Sequence, residues 1–411
     1  MRGYKEPKPV EKIELNENHI KLRVIFLIIF SIIAIGAIGF GIYKIANKDK
    51  GWQNISLNTH KYSRLENDFT FSYYVKSATE YKKVSAAYDK YFIEAKTELD
   101  DTFEKENNIN YINKNPNKEI EVSEFLYNSL KDIISDSNYL YLGSINHYYD
   151  QMIYAIDDTF IDKYDPISNE NINNIVNKLL EYINNEEVKL ELLDNNKVKL
   201  NVSDNYLSYL KENDINKIID FSWLENAYII DYVVNNLKKD GFKRGIIRTY
   251  DGYNRAFDSE EYVYKYTLFD EINNNSGKIG ELSYNANQSI VNFKNFIVYN
   301  KDSQFIRYMK DNTRRTYYIS NADGYSKASK NYLLGYANKS CVEIAKTLAK
   351  IYISDTFDIN LINSNKDKCN FIYYDNFNIC HTDNNADIKI TFVSDEYKYK
   401  EVLIWLKDKR N

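Results

Sequence analysis

An uncharged and almost wholly apolar run from Val24 to Tyr43, VIFLIIFSIIAIGAIGFGIY, constrains this chain more than any other feature. At about 1.5 Å rise per residue, its roughly 20 residues reach across a hydrocarbon core of about 30 Å. Arg23 and Lys44 close the run at its two ends. A core helix of a soluble domain would carry a polar stripe, and this run has only Ser31. A signal peptide has a shorter apolar core followed by a small-residue cleavage site, and no A-x-A pattern follows here. The run therefore reads as an uncleaved transmembrane anchor that binds membrane lipid. Before it stand Arg2, Lys5, Lys8, Lys12, Lys21 and Arg23, against Lys44, Lys48 and Lys50 after it. The positive-inside rule then places the short N-terminal tail in the cytoplasm and the bulk of the chain outside. The expected division is a tail at 1–23, an anchor at 24–43, a linker at 44–66 and one extracytoplasmic α/β (mixed α+β) domain at 67–411.

Beyond the anchor the chain is polar but not of the disordered type, because 15% of its residues are aromatic. A net charge of −5 gives no basic footprint for nucleic acid. The three cysteines are too few for a disulfide framework. Cys369 and Cys380 flank what reads as a hairpin turning at Asp375-Asn376. The apparent register puts them diagonal, so a bridge between them is an open alternative.

Periodicity orders the rest. FTFSYYV, at 69–75, alternates as a strand does. Val84, Tyr88, Phe92, Ala95, Leu99 and Phe103 form one stripe, predicting a helix over 79–106. Ser123 caps a further helix, and another spans 171–184. Val188 to Val202 reads as a hairpin around Asp194-Asn195-Asn196. A helix over 225–239 ends near Gly241, and a strand starts at Gly245. Strands dominate 260–320, and Ser340 opens a helix running to about Ser354. No repeat and no Pro- or Gly-rich linker divides the chain, so one continuous domain is expected.

Standard catalytic signatures are absent: there is no G-x-x-x-x-G-K-[ST], H-E-x-x-H, G-x-S-x-G or G-x-G-x-x-G. Of four histidines, His19 lies in the tail and His60 in the linker, leaving His147 and His381 as acid–base candidates. Both also read as ordinary loop or surface residues. Carboxylate pairs such as Asp100-Asp101 and Asp157-Asp158 read as solvated charge.

Taken in order, several short stretches resemble the FAD:protein FMN transferase family (ApbE-type flavin transferases). They are Asn110-Tyr111-Ile112-Asn113, Val122-Ser123-Glu124, and Gly143-Ser144-Ile145-Asn146 in the place of a Gly-Ala-Phe-Asp motif. The family's Asp-Leu-Gly-Gly-Ile-Ala-Lys-Gly-Tyr-x-x-Asp run is matched by residues 220–231, where Asp220, Tyr228 and Asp231 agree. Asn226 replaces the lysine. The family's Gly-Gly-Asn is reduced to Gly252 and Asn254, and Tyr318-Ile319-Ser320-Asn321-Ala322-Asp323-Gly324 has lost the family's His, Pro and Thr. The Ala-Asp-Ala-x-x-Thr motif that helps to hold magnesium becomes Val342-Glu343-Ile344-Ala345-Lys346-Thr347.

The resemblance implies a flavin transferase fold, FAD and Mg²⁺ as cofactors, and transfer of FMN to a Thr or Ser of a membrane or surface flavoprotein. It carries the cofactor-binding role to Asp220, Asn226, Gly252 and Asn254, and the metal role to Glu343 and Thr347. Side chains such as Trp223 and Tyr253, standing where the family has glycine, would crowd the approach of backbone N–H groups to a pyrophosphate. The departures together imply a degenerate site. Glu343 has a second reading, because Ser340-x-x-Glu343 is a capping box. A non-catalytic binding or scaffolding ectodomain without flavin is the alternative to a transferase.

Overall fold

The computed structural model describes residues 20–47, 50–58, 68–136, 138–154, 161–259, 262–272, 275–285, 287–374, 380–382, 388–392 and 401–403. The tail at 1–19, His60, Asp157-Asp158 and the Asp375-Asn376 turn lie outside the described residues. The chain separates into two units, one of residues 1–51 with 75–81, the other holding the remainder. The first contains the helix Ile20–Asn47. Within it, Ile20–Gly41 is 22 residues long, with mean hydropathy 2.8 and none of it buried. It has the length and composition to cross a membrane, as an anchor or as a signal sequence.

The second unit holds all but the strand-end residues Gly51 and Val75 of a nine-stranded sheet whose spatial order repeats the chain order. The strands are Gly51–Ile55, Phe69–Val75, Arg244–Thr249, Tyr253–Asp258, Ser289–Lys294, Tyr332–Ala337, Asn370–Tyr374, Cys380–Thr382 and Glu401–Leu403. Antiparallel pairing runs from Phe69–Val75 to Cys380–Thr382, and Cys380–Thr382 pairs with Glu401–Leu403 in parallel. The first strand corrects the expected linker at 44–66, since residues 51–55 already belong to the sheet. Trp52, a partly buried residue, packs on the core beneath it.

Side-chain alternation gives the sheet two different faces. Ile290, Leu334, Tyr336 and Ile372 face a three-stranded sheet of Tyr264–Ile272, Asn275–Tyr284 and Ile388–Phe392, forming one aromatic-rich core. The opposite face carries the helices Glu225–Lys239 and Cys341–Tyr352. Gly335 shows how closely the second helix lies, because a Cβ there would stand 2.8 Å from the Ile344 side chain. The first helix stops at Gly241 (φ 85°), where Phe242 N–H bonds Leu237 O and Gly241 N–H bonds Lys238 O. This is a glycine-terminated helix end.

Between the second and third strands of the large sheet lies a mostly helical insertion. The helix Ala78–Leu99 is seven residues shorter at its end than the stripe suggests. The Asp100 carboxylate accepts Thr102 N–H and Oγ1–H, at 2.8 and 2.6 Å, and this local turn outcompetes another helical turn. The hairpin Val188–Leu193 with Lys197–Val202 forms as expected, Asn195 and Asn196 both taking positive φ. It gains a third strand, Glu119–Glu121. The reading of Cys369 and Cys380 as diagonal is corrected. Cys380 pairs with Tyr374 at one end of the strand Asn370–Tyr374, while Cys369 precedes its other end, about 14 Å or more away at 3.4 Å per residue and far beyond disulfide reach.

Candidate functional site

Three of the stretches that resemble the flavin transferases, distant in sequence, meet in space. Asn113 accepts the Ile218 and Ile219 N–H groups through Oδ1 and donates Nδ2–H to Ile219 O at 2.9 Å. Gly143 packs against the same segment so closely that a Cβ would stand 2.8 Å from the Ile218 and Ile219 backbone. Three residues on, Asn146 Nδ2 donates to both Asp220 oxygens, at 2.8 and 3.1 Å. Two short motifs are thus bonded to the start of the third. Ser222 follows, with φ 51°, at a position where the family has glycine. A left-handed conformation costs an L residue about 1–2 kcal/mol. The turn therefore keeps the glycine geometry without the glycine.

This turn opens onto a cleft of about 350 Å³. Its walls carry Asp220, Asn226, Asn146 and Tyr317, and its charge is strongly one-sided, with seven carboxylates against two lysines. Lys217 Nζ is shared by Asp101, Asp150 and Asp220, at 2.8, 2.6 and 3.0 Å. Lys96 Nζ meets Glu225 at 2.5 Å and Asp100 at 3.5 Å. Asp68 and Asp251 have no cation within ion-pair distance among the described residues. Asp251 Oδ2 instead accepts Asn226 Nδ2–H at 2.8 Å and Tyr317 O–H at 3.4 Å.

Burial pushes Asp251 up to about 6, since no neighbouring cation opposes it. Asp220 is likewise raised to about 6, by burial and by the charges of Asp101 and Asp150, against the pull of Lys217. Burial raises Glu225 to about 7 despite Lys96. Three acceptor atoms of residues around this cleft, Asp68 Oδ1, Asn146 Oδ1 and Asp251 Oδ1, are sealed from solvent with no hydrogen-bond donor. The site is short of donors and of positive charge.

The residues expected to bind cofactor and metal divide among several places. Asp220 and Asn226 share the cleft. Gly252 sits in the turn after Asp251 with φ 104°, and its missing Cβ is the space filled by Asn292 O, which would lie 2.1 Å away. Asn254, 1% exposed, projects to the opposite face of the sheet, where Tyr284 O–H donates to it at 3.4 Å. Glu343 and Thr347 line a separate groove of about 840 Å³ together with Asp132, Tyr228 and Lys346. There the Glu343 carboxylate accepts Ser340 N–H at 3.2 Å, and Ser340 Oγ accepts Glu343 N–H at 3.1 Å. Both halves of a capping box are present. Thr347 O–H donates to the Glu343 backbone carbonyl at 2.9 Å.

Trp223 and Tyr253 do not crowd the cleft. Trp223 is buried among Tyr139, Phe293 and Tyr318, and Tyr253 O–H donates to Trp223 O at 2.5 Å from beneath. The Tyr253 side chain lies on the helix-bearing face of the sheet, where alternation points it into the core. His147 faces Gln151 and Tyr148, and His381 stacks on Tyr373 at 4.8 Å, so neither histidine lines the cleft.

Sequence reasoning matched Asp231 to the family motif without giving it a role, and did not find the acidic cleft. Asp231 is buried with its carboxylate accepting Cys341 and Val342 N–H, at 2.9 and 3.0 Å, and bonding Arg255. It ties the start of the Cys341–Tyr352 helix to the Glu225–Lys239 helix. The acidic cleft had no signal in the sequence. Its carboxylates come from segments between residues 68 and 251, and no local spacing connects them.

The structure overlays on a solved ApbE protein. An ApbE protein from Thermotoga maritima matches with a TM-score of 0.52 over 78% of this chain and 94% of that one, at 12% identity. The flavin transferase ApbE from Vibrio cholerae matches over 84% and 97%, at 11% identity and a TM-score of 0.49. The chain has a diverged ApbE-like fold. No family model and no curated protein matches the sequence. The ApbE-like fold therefore persists here where sequence similarity has almost gone.

Proposed function

We propose that this chain is a membrane-anchored protein of the flavin transferase fold whose dinucleotide site is degenerate, so that it does not transfer FMN. The charge of the cleft carries this reading. FAD would bring two phosphates to a site with seven carboxylates and two lysines already committed to five of them. A phosphate about 4 Å from one uncompensated carboxylate is opposed by about 4 kcal/mol at an effective dielectric of 20. Asn226 supplies a dipole where the family supplies a cation, and that dipole is turned onto Asp251. The orphaned atoms are acceptors, and phosphate adds only more acceptors. Mg²⁺ fits no better, because Glu343 and Thr347 line a separate groove and, among the described residues, no group of three acidic, histidine or cysteine side chains could hold a metal.

The apolar helix Ile20–Asn47 supports the anchor, and the Lys and Arg bias around it supports a domain outside the cytoplasm. The test is calorimetric titration of the full-length protein in detergent with FAD, with and without MgCl₂. The same samples are then incubated with a threonine-containing acceptor peptide and inspected for protein-linked flavin fluorescence. No binding and no labelled peptide are expected. A sub-micromolar constant, worth more than about 8 kcal/mol, or any flavin on the peptide, overturns the reading.

A further inference from the structure

We propose that the aromatic edge formed by Trp52, Tyr74 and Tyr262 rests in the headgroup layer of a lipid bilayer, so that the partner of this face is the membrane surface. The inference rests on the reading of the apolar helix as an anchor. Among the described residues, Gly51–Ile55 is an edge strand of the nine-stranded sheet and Tyr264–Ile272 an edge strand of the three-stranded one. Where these edges meet, the Trp52 ring packs on Tyr262 at 5.1 Å and on Tyr74 and Tyr264 at 5.8 Å. Tyr264 is buried and, with the partly buried Trp52, closes the core. Core closure does not explain the outer members of the cluster, because Tyr262 is 41% exposed and Val263 beside it 51%. The Arg244 guanidinium lies over the Tyr74 and Tyr262 rings, at 4.9 and 5.7 Å, and also pairs with Asp258 at 3.1 Å. Lys243, next to it, is exposed.

Chain length and side-chain type together select lipid as the occupant. Lys44 to Asn47 carry the helix about 6 Å beyond the apolar run, roughly the depth of a headgroup layer. Trp52 follows Asn47 by five residues, which reach about 18 Å at full extension. An anchored chain therefore keeps Trp52 close to the membrane surface, on whichever side the domain lies. Tyr and Trp pair an apolar ring with a polar tip, the combination enriched where acyl chains meet headgroups. Val263 adds apolar surface, and Lys243 and Arg244 carry N–H donors that suit lipid phosphate. Glu260 and Glu261 precede Tyr262 in the sequence, so the neighbourhood is not strongly basic. Burial of the rings, rather than attraction to anionic lipid, then supplies the attachment, and a zwitterionic bilayer suffices.

The experiment places the full-length protein in phosphatidylcholine nanodiscs, made with ordinary or with chain-brominated lipid, and follows tryptophan fluorescence. Bromine quenches only the rings that reach it. The chain has three tryptophans, so the share of Trp52 is the difference between wild type and Trp52→Phe. Brominated lipid should quench wild type at least twofold more than Trp52→Phe. Val263→Asp keeps every ring of the cluster and puts a charge on its exposed rim. It should cut the Trp52 share at least twofold, while circular dichroism shows the fold intact. Equal quenching of wild type and Trp52→Phe overturns the proposal. So does an undiminished Trp52 share in Val263→Asp, because proximity to the anchor alone would then explain the signal. Carbonate extraction of the protein from phosphatidylcholine liposomes separates the two readings. Release of the protein would overturn the anchor, whereas retained protein with an unquenched Trp52 would overturn only this inference.

Discussion

Replacing Asp251 with asparagine should stabilise the protein, and only above a defined pH. Its carboxyl is buried and raised to about 6, against an ordinary value of 3.8. The unfolded chain therefore loses this proton near pH 4, while the folded chain holds it until about pH 6. Between those limits the folded state binds more protons, so its stability falls as pH rises. Above about pH 6 the loss is complete, and a difference of about two pKa units corresponds to about 3 kcal/mol.

The introduced amide would carry no charge and would keep the useful contacts. Both donors, Asn226 and Tyr317, point at the same oxygen of Asp251, Oδ2, which an amide oxygen can replace. The amide nitrogen then takes the place of Oδ1, the atom with no donor. Thermal melts of wild type and Asp251→Asn, followed by circular dichroism in detergent at pH 4 and at pH 7.5, measure the difference. The variant should melt about 5 °C higher at pH 7.5 and at the same temperature as wild type at pH 4. A variant destabilised at pH 7.5, or shifted equally at both pH values, would show that Asp251 is not an uncompensated buried charge.

Three further outcomes follow from the same geometry. Ser222→Gly should stabilise by about 0.5–1 kcal/mol, the cost of a left-handed serine less the extra freedom of an unfolded glycine, and urea unfolding reads the gain. Asp231→Ala should cost about 3–5 kcal/mol, because it leaves Arg255 without its buried partner and two helix N–H groups without an acceptor, and a denaturant midpoint unchanged from wild type would refute the tie between the two helices. Ser340→Ala should cost about 1 kcal/mol and Glu343→Gln less, since glutamine can still reach the Ser340 N–H; a larger loss for Glu343→Gln in the same melts would point to a role for the carboxylate beyond the cap.

The parts of this protein set by neighbouring residues were legible without its structure. The apolar run, the Asp194-Asn195-Asn196 hairpin, the Ser340 capping box and the Gly241 helix end each depend on contacts within a few positions, where periodicity and turn chemistry act directly. The order of weak motifs also identified the fold, because Asn113, Gly143, Asn146 and Asp220 hold one segment of the chain in place through their own contacts. Side-chain direction was not legible. Trp223 and Tyr253 stand at positions where the family has glycine yet point into the core, since the face a residue takes depends on strand register and on the helix packed above it. The helix Ala78–Leu99 stopped early because the Asp100 turn offered better local bonds than another helical turn. The acidic cleft belongs wholly to the tertiary structure. Its charge is the sum of residues far apart in the chain, and only folding puts Asp251 beyond ion-pair reach of every lysine among the described residues.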